Sequence, residues 1–338
     1  MITLECPPVA GDRVQRIYET LDRWLAAPTL AALAQCFGGE IPSQLSRTDR
    51  VAWLMNFSER WDFRALQAGT LSSDTGERSR WLITDTSLSE AQRDAIQAAA
   101  NELGLIGAEI PSKRMYDFAW VLGGARLSCL LRPRFAAQLV TDHGVRCGSI
   151  ALLAAARPVS ATERHATDTY APDAETEFDL INKGAEISFA MPAAFTEERS
   201  DDAANPNRSW VIRRYEKVGS FPPILSLSAP SSEPETRRAN SADTYEFFFE
   251  HVQVPSGSSL LLITSQIYAP YQQLEAIRTI ALKHDVVIET VGFPLEWSGD
   301  LQGMNEPGNY LQEIRSTIQS VDRFLRAFPS TQSHGNEA

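Results

Sequence analysis

Apolar positions change their rhythm near Pro111. Before it they recur at helical spacing, and Val14, Ile17, Tyr18, Leu21, Trp24 and Leu25 fall on one helix face. Ser87-Leu-Ser-Glu90 has the form of a capping box. It predicts a helix through Ala91, Ile96, Ala99, Ala100 and Leu103, stopped by Gly104. Trp53, Trp61 and Trp81 belong to this half, where large aromatics serve a core more often than a ligand platform. Residues 1–110 therefore read as a mainly helical N-terminal region.

After Pro111 short apolar runs alternate with helical stretches. Strands are predicted at 118–122, 149–154, 224–228, 260–264 and 286–291, and helices at 135–140, 177–189, 239–251 and 271–282. Strands that are apolar on both faces and alternate with helices indicate an α/β fold with a parallel sheet covered on both sides. Such sheets hold ligands beyond the carboxyl ends of their strands. Residues 310–328 form a final amphipathic helix, and the polar tail from Pro329 is expected to fray. Two polar, turn-rich stretches, 196–208 and 297–308, read as loops or insertions.

The 338 residues give room for one large core or two domains. Apolar residues at 43% and charged residues at 22% are ordinary for a globular chain. The net charge of −12 argues against a nucleic-acid surface, which needs clustered Lys and Arg. Cys6, Cys36, Cys129 and Cys147 form no CxxC pair and read as free thiols in a reducing cytosol. No basic-then-apolar start resembles a signal peptide, and no run approaches the roughly 18 apolar residues of a membrane span. The expectation is a cytoplasmic protein that binds neither membrane nor nucleic acid.

Each strand end carries polar groups. Gly123, Gly124 and Arg126 follow the first strand, where glycines allow close backbone approach to an anion or simply make a tight turn. Arg157, Glu163, Arg164 and His165 follow the second, as an anion fork or as a solvated loop with local ion pairs. Arg237, Arg238, Asn240 and Thr244 lie between the third strand and a helix start, where Asn240 or Ser241 can also cap the helix. Thr264 and Ser265 end the fourth strand and can bond phosphate or ribose oxygens. Tyr268 follows as a stacking surface, a proton donor or a packed core ring. There is no GxxxxGK[ST], HExxH or GxSxG, and no spacing supports a metal site.

The order of these pieces over about 117–292 resembles the DUF218 family, also called YdcF-like or SanA/ElyC-like. The pieces are Val121-Leu-Gly-Gly124, Arg134 read as opening a helix, Glu177 opening the next, Asn240 to Glu246, and Leu262-Ile-Thr-Ser265 followed by Pro270. The resemblance implies a Rossmann-like fold over residues 111–328. It also implies a nucleotide-type or phosphorylated ligand, with S-adenosylmethionine among the candidates. Ala154-Ala-Ala-Arg157 stands where the family carries Ser-Gly-Gly. Tyr268 and Tyr271 stand where it carries His and Arg. The first expectation is a hydrolase or transferase acting on such a molecule. Gly123, Gly124 and Arg126 would cradle the anion. Arg134, Arg157, Arg237 and Arg238 would neutralise charge. Glu177 would be the general base or a ribose or metal contact, and Thr264, Ser265 and Tyr268 would position substrate. The departures from the family favour a second expectation, a non-catalytic small-molecule-binding or protein-interaction module. The oligomeric state is left open.

Overall fold

Asp12 begins the first helix by accepting a hydrogen bond from the Gln15 amide, and α1 (Arg13–Leu25) follows. The computed structural model describes residues 1–9, 11–62, 88–107, 110–216, 218–297, 299–302 and 306–329. Two more N-terminal helices, α2 (Pro28–Cys36) and α3 (Arg47–Phe57), precede α4 (Glu90–Glu102). The capping box of α4 is Ser89 with Gln92, two residues after the pair expected from the sequence. Ser87 itself, like Trp81, lies outside the described residues. Leu88 packs against the core just before the cap. Gly104 ends this helical stretch with φ +85°, a conformation that costs glycine little. Trp61 is fully buried, and Trp53 stacks on Phe57 with ring centroids 4.7 Å apart.

The second part is mixed α/β. Its strands are β1 (Met115–Leu122), β2 (Arg146–Ala154), β3 (Thr196–Ser200), β4 (Trp210–Tyr215), β5 (Ile224–Ser228), β6 (Ser259–Ser265) and β7 (Val287–Phe293). Among the described residues they form one seven-stranded sheet in the order β3-β4-β5-β2-β1-β6-β7. The stretch from β5 to β7 is parallel, while β3 and β4 add an antiparallel edge. The longer helices of this part are α5 (Ser128–Thr141), α6 (Glu177–Phe189), α7 (Ser241–His251), α8 (Ala269–Ala276) and α9 (Pro307–Ala327).

Successive strand side chains point to opposite faces, and both faces here are apolar. Trp120, Leu122, Leu153, Leu260 and Leu262 share a core with Phe248 of α7, Leu274 of α8 and Ile314 of α9. Ile17, Leu21 and Trp24 of α1 belong to that same core, so the N-terminal helices pack onto the sheet. Arg13 ties them down by donating to the carbonyls of Ala281, at 3.1 Å, and Val286, at 2.7 Å. On the other face Val121, Ile150, Leu152 and Ile263 meet Phe135 of α5 and Ile181 of α6.

Two expectations are corrected. Residues 196–208 are not merely a loop, because Thr196–Ser200 is an exposed edge strand paired with β4. Its side chains carry no apolar alternation. Cross-strand pairs hold it instead: Arg213 to Glu197 at 2.7 Å, and Arg214 to Glu198. The helix expected at 135–140 begins earlier, at Ser128, and contains Pro133. Arg134 is therefore inside the helix, exposed and over the Trp297 ring, and does not open it. Pro133 cannot donate to the Cys129 carbonyl four residues back. Gly184 of α6 packs against that carbonyl, where a Cβ would collide with it.

The last contact gives a stability prediction. Gly184→Ala should gain about 1 kcal/mol of helix propensity. It should lose more to the clash, because the colliding atom is backbone and cannot rotate away; overpacking costs about 1–3 kcal/mol. A lowered urea midpoint with an unchanged slope is the expected result.

Candidate functional site

Three chain segments converge beyond the carboxyl ends of β1 and β2. The first is the turn after β1, where the Gly123 amide donates to the Leu153 carbonyl at 2.6 Å. A Cβ on Gly123 would overlap the Glu177 carboxylate and crowd Ala154. One on Gly124 would lie 2.9 Å from Arg132 Nη1 and from Ser128 Cβ. Both glycines are therefore required by close approach. The second segment is the start of α6, where Thr176 and Asp179 form a capping box and Glu177 is the first helical residue. The Glu177 amide donates to the Arg157 carbonyl at 2.8 Å. The third is the start of α7, where Asn240 accepts from Ala242 and Asp243, and Asp243 accepts from the Asn240 amide at 2.8 Å.

Between them lies a cavity of about 390 Å³. Gly123, Gly124, Arg157, Glu177, Arg238, Asn240 and Thr244, all singled out in the sequence, line it. Tyr245 and Gln272 complete the wall and bond to each other at 3.1 Å.

Arg157 sits between two carboxylates. It donates to Glu163 through Nη1 at 2.6 Å and Nη2 at 2.8 Å, and to Glu177 through Nε at 3.0 Å. The Glu163 side chain is completely buried and also accepts from the Ser160 amide and hydroxyl and from the Arg126 amide. Burial alone would raise the Glu163 pKa, but the Arg157 bonds and charge and the Ser160 donors outweigh it and hold the pKa below its ordinary value. Burial would lower Arg157, and the two carboxylates overcome this and raise it. The charge of Arg157 is thus fully taken up inside the protein. Arg238 differs: among the described residues its side chain has no hydrogen-bond or ion-pair partner, and it lies exposed at the rim.

Other expected site residues are placed elsewhere. Arg237 is bound to Asp243 and, at 3.3 Å, to Glu233, which fixes the loop before α7. Arg126 is largely buried in a left-handed conformation, φ 53°, and its carbonyl accepts from Tyr170 at 3.0 Å. Thr264 is buried in the sheet. Ser265 accepts from Arg132 at 3.2 and 3.3 Å, and Tyr268 is buried with the Arg132 guanidinium 5.8 Å from its ring. His165 is exposed and does not line the cavity. The residue missed by sequence reasoning is Arg132. An arginine following Leu130-Leu131 in a stretch that packs as core was the available signal.

A larger cavity, about 760 Å³, lies between the N-terminal segment and β7, with Ile2, Leu4, Val287 and Ile288 among its walls. Its polar groups are largely engaged with one another, as Tyr116 with Glu289 at 2.6 Å and Thr290 with Gln273 at 2.7 Å. Charged groups converge at the smaller cavity, which is therefore the better candidate for chemistry. Among the described residues no group of three or more His, Cys, Asp or Glu could hold a metal ion, and the cysteines are free thiols. No helix among them is long and apolar enough to cross a membrane.

The buried triad predicts an acid limb in stability. The folded-state pKa of Glu163 is depressed below 4.5. Its contribution is complete above that pH and is lost as pH falls toward the folded value. Glu163→Gln should flatten this loss in urea titrations between pH 7 and pH 3.5. Arg157→Met should cost about 3–5 kcal/mol at pH 7, because it leaves a buried carboxylate without its partner.

Comparison with known proteins corrects the expected DUF218 resemblance. The family model that matches is that of the Rv3785 N-terminal domain, over residues 9–104. Uncharacterized protein Rv3785 of Mycobacterium tuberculosis and uncharacterized protein Mb3814 of Mycobacterium bovis are each 36% identical to the chain over 347 residues. Each alignment covers 96% of this chain and 96% of the relative. No solved structure matches. The motifs behind the DUF218 resemblance are ones that parallel α/β sheets in general produce: a glycine turn after a strand, a capped helix, a hydroxyl at a strand end. With more than a third of its residues shared across nearly its whole length, the chain belongs to the Rv3785 family.

Proposed function

We propose that the cavity beyond β1 and β2 binds a small phosphorylated or nucleotide-type molecule, and that the protein is a hydrolase or transferase acting on it. The observation that carries this reading is the unpaired Arg238 at the rim of a cavity walled by two helix starts. The partial positive charge of a helix start favours an anion, while the amides of Glu177, Ala242 and Asp243 are already engaged within the protein. The parallel order β5-β2-β1-β6-β7 supports a Rossmann-like sheet covered by helices on both faces, in which strand order reverses beside β1. Ligands of such sheets sit near that reversal, beyond the strand ends. On this reading residues 111–328 form the ligand-binding unit and residues 1–110 a helical region packed on it. The protein then works on a soluble metabolite in the cytoplasm.

A cavity of about 390 Å³ suits a mononucleotide or sugar phosphate, near the small end of the usual range of roughly 300–1,000 Å³. Glu177 is the candidate base. One carboxylate oxygen is held by Arg157, and the other lies beside Gly123. It would accept the proton of an attacking hydroxyl or water as the new bond to phosphorus forms and the leaving oxygen departs. A second reading, a non-catalytic binding module, has its own support. The other candidate catalytic residue, Tyr268, does not line the cavity, and Arg157 is already neutralised from within.

The two readings separate in one experiment. Thermal shift against nucleotides, sugar phosphates and S-adenosylmethionine should reveal a ligand; at about 100 times its dissociation constant it adds roughly 2.7 kcal/mol. Arg238→Ala should weaken binding about tenfold or more, since a hydrogen bond to a charged group contributes about 1.5–3 kcal/mol. Glu177→Gln should retain binding and abolish turnover. Binding without turnover in the unaltered protein favours the binding module.

A further inference from the structure

Arg132 is 4% exposed, and every partner it has among the described residues is neutral. Nη1 donates to the carbonyls of Leu122, at 3.0 Å, and Gly123, while Nε and Nη2 donate to the Ser265 hydroxyl. No carboxylate among the described residues lies within ion-pair distance of it. Buried charges in proteins are ordinarily paired, because an isolated charge is costly to remove from water. Arg132 bridges the ends of β1 and β6, directly beneath the Gly123-Gly124 floor of the cavity.

The charges around the cavity divide unevenly. Arg157 is enclosed by Glu163 and Glu177, so that cluster carries one excess negative charge. Arg132 under the floor and Arg238 at the rim are two cations without a carboxylate partner. Together these five groups carry a net charge of +1, and the Glu177 oxygen beside Gly123 is able to accept a hydrogen bond.

We infer that the ligand is a phosphate monoester bound as its dianion, with its phosphate over Gly124 between Arg132 and Arg238, and with Glu177 beside it at Gly123, where its free oxygen can take the proton of an attacking hydroxyl or water. The inference rests on the reading of this cavity as an anion site and adds the charge and orientation of the ligand. Arg132 is a positioning residue: it holds the floor by its carbonyls and supplies field from below, without touching the ligand. A sulfonium such as S-adenosylmethionine gains nothing from two cations and is disfavoured.

The test compares ligands that differ only in phosphate charge. Adenosine monophosphate and glycerol phosphate are titrated calorimetrically at pH 7.5 beside their methyl diesters, which are monoanions, with adenosine and S-adenosylmethionine as controls. At least one monoester should bind tenfold or more tighter than its diester. Arg132→Met should reduce that preference several-fold, and Arg132→Lys, which keeps the charge, should restore part of it. Equal affinity for monoester and diester overturns the inference while leaving the anion site intact, provided Arg238→Ala weakens both. An undiminished preference in folded Arg132→Met removes Arg132 from the role. If both Arg132 variants unfold, the preference of the unaltered protein alone decides the ligand class. No binding of any probe overturns the reading on which the inference rests.

Discussion

The central strand β1 is closed on both faces, and this constraint governs where polar chemistry can stand. Trp120 and Leu122 enter one apolar layer and Val121 the other, with β2 and β6 on either side. Along such a strand an unsatisfied polar side chain costs kilocalories, so functional groups are driven to its ends. At the carboxyl end of β1 the chain must turn sharply, and the two glycines let Glu177 and Arg132 come within contact of the backbone. The geometry of the cavity is a consequence of this crowding.

Charge is arranged around that end in two different ways. Arg157, Glu163 and Glu177 form a closed cluster that ties the segment after β2 to the start of α6. Arg237 and Asp243 do the same for the loop entering α7. Both are structural clamps, and they leave the neighbouring helix starts in fixed positions. Arg132 and Arg238 form no ion pair among the described residues, and on the proposed reading they supply the positive charge that the clamps do not.

The N-terminal helices are part of this architecture. Ile17, Leu21 and Trp24 are buried in the layer that also contains Trp120 and Leu260, and Arg13 caps carbonyls near β7. The match to the Rv3785 N-terminal domain ends at residue 104, just before the sheet begins. The two parts are separable as sequence segments, yet they share one hydrophobic core.

The sequence by itself determined the α/β alternation, most strand and helix positions, and seven residues that line the cavity. Those features are local: apolar runs of strand length, a glycine pair after a strand, and capping residues at helix starts report their structure within a few neighbours. It could not separate Arg237 from Arg238, because adjacent arginines look alike until Asp243 binds one of them. It passed over Arg132, whose importance lies in having Leu122, Gly123 and Ser265 around it and no carboxylate. It also missed β3 and β4, since a strand of charged residues is recognisable only by its partner, and β4 mixes Trp210, Val211 and Ile212 with Arg213 and Arg214. Tertiary structure decided these points because ion pairing, edge pairing and the desolvation of a charge depend on residues far apart in the chain.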